Sequence, residues 1–277
     1  MAVGDGFQSQ QTPPGGLVPL KLGETLGAAW RLTAADLGTL VAVCVACALP
    51  AAIIGIAILA ITLPAGATLI DGKLYVPQGT SPNAWLWVNN LRSVISAVFS
   101  LISAGAMYRI LLGRHLGRPA KFTEGIGYAV ERFLPLLGLT IMVTIVVGIG
   151  FVLFVIPGIY AGIALSMAVP AVMTQRIGPF RAMGWSMSLI QGHWWFVLFR
   201  VLIPALLAAA VSFVVSLVVL PGLVTNSLTM LIVLPSLISV ILTPLLAIYV
   251  TAVSAVVFVD LNVRKGWTSA AQIIPNW

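Results

Sequence analysis

The sequence predicts an all-α membrane protein with six transmembrane helices, arranged as three repeated hairpins, each preceded by an amphipathic interfacial helix. Three observations predict it. Of 277 residues, 60% are apolar and only 8% are charged, where soluble domains carry about 25% charged residues. Long uncharged runs recur at lengths that suit one or two bilayer crossings. The Lys and Arg residues fall almost entirely into the connections on one side of those runs.

The opening stretch "MAVGDGFQSQQTPPGG" has neither the basic start nor the apolar centre of a signal peptide. Its Gly, Gln and Pro content predicts a disordered tail over 1–17. The membrane domain is expected over 18–266, in units of 18–118, 119–176 and 177–266, with a short tail over 267–277. Leu37 to Ile70 is uncharged and its helix is expected to end near Pro64. The second span lies between Arg92 and Arg109, whose 16 intervening uncharged residues rise only about 24 Å. At least one of these arginines therefore sits at or inside an interface, and Asn89 and Asn90 are placed to help satisfy Arg92.

Phe133 to Gln175 is uncharged for 43 residues, enough for two spans. Within "FVLFVIPGIYAGIALSMAVPAV", Pro157 suits the first turn of a helix and Gly158 permits a reversal, so a hairpin is expected there. Val201 to Val259 again holds two spans, broken at "LPGLVTNS" (Leu220 to Ser227), with Pro235 and Pro244 expected to kink the last helix. Of the 14 Lys and Arg residues, only Lys73 and Arg92 fall on the side opposite the termini. The positive-inside rule then places both termini in the cytoplasm.

Three segments resemble one another: "GETLGAAWRLTAADLGTL" (Gly23 to Leu40), "TEGIGYAVERFLPLLGLT" (Thr123 to Thr140) and "FRAMGWSMSLIQGHWWFV" (Phe180 to Val197). Shifted by 100, the first two share Glu24/Glu124, Gly27/Gly127, Ala29/Ala129, Leu37/Leu137 and Gly38/Gly138; the third matches at Gly184 and Leu189. Each mixes apolar and polar residues at helical spacing. Trp30, Tyr128, Trp185, Trp194 and Trp195 are expected as interfacial anchors, where amphipathic rings sit.

Chemistry is scarce. Seven carboxylates and two histidines form no H-E-x-x-H, G-x-S-x-G or G-x-x-x-x-G-K-[ST] motif, and no pair has the spacing of a metal site. No catalytic residue, cofactor or metal is expected, and the chain reads as a non-enzyme. Asp36 and Glu131 are expected to offset nearby Arg31 and Arg132. Cys44 and Cys47 form C-x-x-C inside "VAVCVACALP", without the charged surroundings that stabilise a thiolate, and read as small packing residues. The candidate anion or lipid contacts are the arginines near membrane depth, Arg92, Arg109 and Arg200, together with His193 of "GHWWF". The net charge of +7 is spread over short links, which points to anionic lipid on the cytoplasmic side and not to nucleic acid.

"GGLVPLKLGETLGAAWRL" (Gly15 to Leu32), "VIPGIYAGIALSMAVPAVMTQRIGPFRAMGWSMSLIQGHWWFVL" (Val155 to Leu198) and "VVFVDLNVRKG" (Val256 to Gly266) resemble the glycerophosphoryl diester phosphodiesterase membrane-domain family. The resemblance runs from Leu17 onward and implies a six-span protein of a bacterial plasma membrane. Some members carry a soluble phosphodiesterase domain; its catalytic histidines and carboxylates have no counterpart here, so the family name implies no such activity. Three departures stand out: Gln175 replaces an acidic residue, and Ser188 and Asn262 replace basic ones. The expected function is a non-enzymatic scaffold or accessory subunit of a membrane complex or envelope process, with protein partners in that complex. The alternative is binding or transport of an anionic lipid or small amphiphile.

Overall fold

The computed structural model describes residues 19–62, 68–70, 73–75, 82–225, 234–267 and 270–274. The tail over 1–17 and Pro64 lie outside them, as does the end of the Leu220–Ser227 break. The chain runs α1 (Leu22–Ala35), α2 (Leu37–Thr62), β1 (Thr68–Ile70), β2 (Lys73–Tyr75), α3 (Pro82–His115), α4 (Phe122–Glu131), α5 (Phe133–Leu153), α6 (Val155–Ala164), α7 (Ala168–Gln175), α8 (Pro179–Ile190), α9 (Trp194–Thr225), α10 (Leu234–Arg264) and α11 (Ala270–Ile273). Apart from the small antiparallel pair β1–β2, which sets Thr68 opposite Tyr75, every described element is helical. Six stretches are long and apolar enough to cross a membrane: Leu37–Gly55, Asn90–His115, Phe133–Leu153, Val155–Gln175, Trp194–Val211 and Pro244–Arg264.

Helices α1 and α4 start in the same way. The backbone N–H of Lys21 donates to Glu24 Oε2 at 2.7 Å, and that of Lys121 to Glu124 Oε2 at 3.3 Å. Each glutamate thus satisfies an N–H at the helix start and places negative charge at the positive end of the dipole. Both helices pass into the next span through one residue, Asp36 or Arg132. Helix α8 differs. It begins on Pro179 after Gly178 and ends in a turn over 191–193, where Gly192 takes φ +84°, a conformation that glycine adopts without a Cβ clash.

The α5–α6 turn falls at Phe154, which is extended, and Pro157 sits in the first turn of α6 as expected. Gly158 has a different task from the one its Pro-Gly setting suggests. It is helical, and it allows α5 and α6 to touch. A Cβ on Gly158 would lie 2.6 Å from the Phe151 ring, and one on Gly150 would lie 2.9 Å from Gly158 Cα.

The fourth span is discontinuous. Between α6 and α7 the helix breaks over 165–167, and side chains take up freed carbonyls. Ser166 Oγ donates to Ile163 O at 2.7 Å, and Ser186 Oγ of α8 donates to Ala164 O at 2.8 Å. Unpaired backbone is tolerated at apolar depth only where protein satisfies it. The Ser186 bond also fixes α8. Its first residue, Pro179, packs on Gly138 of α5, and Ser186, about 10 Å farther along, reaches the α6–α7 break. Helix α8 therefore doubles back beside α7.

The long apolar helices are packed unequally. The second half of α10 is buried all round, with Ala252, Val256, Val257, Phe258 and Leu261 at or near zero exposure, and it packs against α1, α3, α8 and α9. Helix α5 lies chiefly against α6 and exposes Ile141, Ile145, Ile149 and Val152, a stripe at helical spacing suited to lipid. The C-terminal segment, read from sequence as a tail, is docked: Ile273 and Ile274 are fully buried, and Gln175 Nε2 donates to Ile273 O at 2.8 Å.

Candidate functional site

The residues proposed from sequence separate into three places. Near the chain termini, Arg200 is 5% exposed and its donors turn inward. Its Nε donates to Thr25 Oγ1 at 3.1 Å and its Nη2 to Leu20 O at 2.9 Å. Arg264 Nη2 donates to the same carbonyl at 2.9 Å. Asp260, 2% exposed, accepts from Leu20 N at 2.7 Å and from Arg264 Nε at 3.1 Å. Both guanidinium carbons lie over the Phe196 ring, at 3.4 Å for Arg200 and 4.2 Å for Arg264. Two cations, one carboxylate and one ring therefore hold the start of α1 against α9 and α10. Arg200 serves as an internal clamp.

Beside it, the loop after α7 makes a second polar knot. Tyr128 is buried, and its hydroxyl donates to Met173 O at 2.7 Å. Arg109 and Arg176 place their guanidinium carbons 5.3 and 5.5 Å from the Tyr128 ring centre, within cation–π range. A side-chain hydrogen bond with Tyr128 holds the Arg176 guanidinium above its ordinary pKa. Arg132 caps two carbonyls, Val172 O at 3.2 Å and Ile177 O at 3.1 Å. The expected local charge pairs are replaced by distant ones: Asp36 pairs with Arg114 at 2.6 Å, and Glu131 lies 4.0 Å from Arg176.

The expected anchors divide. Trp30 and Trp195 are exposed, at 64% and 67%. Trp185 packs between Phe258 and Trp267, Trp194 stacks on Tyr160 at 5.8 Å, and Tyr128 is interior. His193 meets the Phe196 ring edge-on at 6.3 Å. Its Nδ1 is buried without a hydrogen-bond partner among the described residues.

The third place is a cavity of about 730 Å³ between α2, α3, α9 and α10, lined by small and apolar side chains that include Ala48, Ala51, Ser103, Ala104, Ala208 and Ala247. Its volume is within the roughly 300–1,000 Å³ usual for ligand pockets. No charged residue lines it, and its polar groups are hydroxyls and thiols. Arg92 stands one helical turn beyond its lining. Ser96, Phe99, Ser100 and Ser103 line the cavity from α3, and Arg92 precedes Ser96 by four residues on the same face. The Arg92 stem crosses α2 at Gly55, where an added Cβ would come 3.2 Å from Arg92 Cγ. Gly55 in turn follows the lining residues Ala51 and Ala52 by about one turn. The residue itself is exposed.

The cavity could not be read from the sequence, because its small residues come from four helices and fall on one surface only after packing. The one available signal was Ser96, Ser100 and Ser103 at i, i+4 and i+7 on α3, one turn after Arg92. Among the described residues, no three His, Cys, Asp or Glu side chains cluster to hold a metal. No family model matches the chain, and neither does any curated protein or solved structure.

Proposed function

We propose that this chain binds an anionic amphiphile, its apolar chain in the α2–α3–α9–α10 cavity and its head at Arg92. The cavity is the observation that carries the reading. Its lining supplies an apolar wall, with hydroxyls of Ser96, Ser100, Ser103 and Thr251 along it, and Arg92 lies one turn past its α3 side. A guanidinium at the end of an apolar slot offers a planar fork of donors to phosphate or carboxylate. The role expected first, a scaffold or accessory subunit, rests on the scarcity of reactive groups, the short loops and a mainly membrane-facing surface. The binding reading has a physical site.

Handing the ligand on to a partner or across the bilayer is compatible with the discontinuous fourth span, a feature that transporters use at their sites. The break lies away from this cavity, however, so binding is the function proposed. With the termini in the cytoplasm, as the Lys and Arg distribution favours, Arg92 faces the outer leaflet.

The two cysteines supply a reporter, because both line the cavity and the chain has no others. Alkylation of Cys44 and Cys47 by N-ethylmaleimide, followed by mass spectrometry, should slow when an anionic single-chain amphiphile is added. An uncharged amphiphile of the same chain length should protect less. Equal labelling with and without either compound would sink the reading.

A further inference from the structure

We propose that Cys44, Cys47 and Met107 form a binding site for a soft monovalent metal ion, Cu(I) by its ligand chemistry, in the cavity wall. Cys44 and Cys47 are three apart on α2 and share a face. Ser103 and Met107 are four apart on α3, facing them. The Cys44 thiol lies 3.9 Å from Met107 Sδ, and the Ser103 hydroxyl donates towards Cys44 Sγ at 3.9 Å. All four residues line the cavity, so an ion has a route to the sulfurs without opening the core.

The donor set selects the metal. Thiolate and thioether sulfur are soft ligands, and soft ligands favour Cu(I) over the harder divalent ions. No histidine or carboxylate lines the cavity to complete a site for a harder ion. A trigonal centre with metal–sulfur bonds of about 2.3 Å sets its sulfurs about 4 Å apart, which matches the Cys44–Met107 spacing.

Charge argues the same way. An apolar wall opposes bare thiolates, and a monovalent ion shared by two thiolates offsets half of their combined charge. Binding then displaces both thiol protons to solvent, while the thioether ligates as a neutral donor. The Ser103 hydroxyl is placed to donate to the Cys44 thiolate. This site does not depend on amphiphile binding and is tested without lipid ligand.

The test is a Cu(I) titration of the purified full chain, under reductant, against bicinchoninate as the competing chelator. The native chain should withhold one Cu(I) per molecule. Cys44→Ser and Cys47→Ser should each weaken binding at least a hundredfold, and Met107→Leu about tenfold, with gel-filtration profiles unchanged. X-ray absorption of the loaded protein should show a sulfur-only first shell. The site is overturned if the native chain yields all its Cu(I) to the chelator, or if the double serine variant binds as tightly as native. Should a serine variant aggregate, the volume-conserving Met107→Leu decides: native affinity together with nitrogen or oxygen in the first shell rejects the triad.

Discussion

Arg200 and Arg92 both sit in long apolar helices, and the molecule treats them oppositely. Arg200 is 5% exposed, fixed by Thr25 and Leu20 and laid over Phe196. Arg92 is exposed, its stem passing over Gly55 beside a cavity. The terminus end of the bundle is closed by polar contacts that converge on one backbone residue, Leu20. Towards Arg92, α3 borders the cavity. A buried charge is stable only when paired and hydrogen-bonded, so the first arginine belongs to the fold. The second lies exposed beside the cavity, its stem against Gly55.

The largest effect is expected at the closed end. Asp260→Ala leaves Arg264 and Arg200 without their carboxylate, and removing one partner of a buried ion pair costs about 3–5 kcal/mol. Thermal unfolding in detergent should show a sharply lowered midpoint; a change within error would mean that this cluster does not hold α1 down. Thr25→Val comes next, because it strips the acceptor from Arg200 Nε, and an unsatisfied buried donor costs about 1–3 kcal/mol. Its unfolding midpoint should fall between native and Asp260→Ala.

At the open end stability should barely move. Arg92→Gln should stay within about 0.5 kcal/mol of native in unfolding while its affinity for anionic amphiphile drops about tenfold, near 1.4 kcal/mol. A stability loss as large as that of Asp260→Ala would make Arg92 a second clamp and erase the contrast. Gly55→Ala is the mildest change. Its Cβ would press the flexible Arg92 stem at 3.2 Å, and a two- to threefold shift in affinity, about 0.4–0.6 kcal/mol, is expected by equilibrium binding.

The spans were legible in the sequence because each is an uncharged run long enough to cross, and a run declares itself without any partner. The likeness of Glu24 and Glu124 was legible too: each accepts from a backbone N–H three residues back. What the sequence hid depends on distant pairing. Nothing local to Arg200 indicates Thr25, 175 residues away, or shows that Asp36 reaches past Arg31 to Arg114. Helix α8 looked interfacial because it is amphipathic, yet its polar face includes Ser186, which is spent on the carbonyl of a broken span. Tyr128 and Trp185 looked like headgroup anchors for the same reason. A ring with a polar edge suits an interface and a packed knot equally, and only the neighbours distinguish the two.

The central claim is that cavity and arginine together hold an anionic amphiphile. The most direct measurement is native mass spectrometry of the chain released from nanodiscs containing equal amounts of phosphatidylglycerol and phosphatidylcholine. Three proteins would be compared: native, Arg92→Gln, and Ala247→Phe, which fills the cavity. The account predicts that the native chain retains phosphatidylglycerol in preference to phosphatidylcholine, that Arg92→Gln loses the preference, and that Ala247→Phe retains neither. Equal retention of both lipids by all three proteins would contradict it.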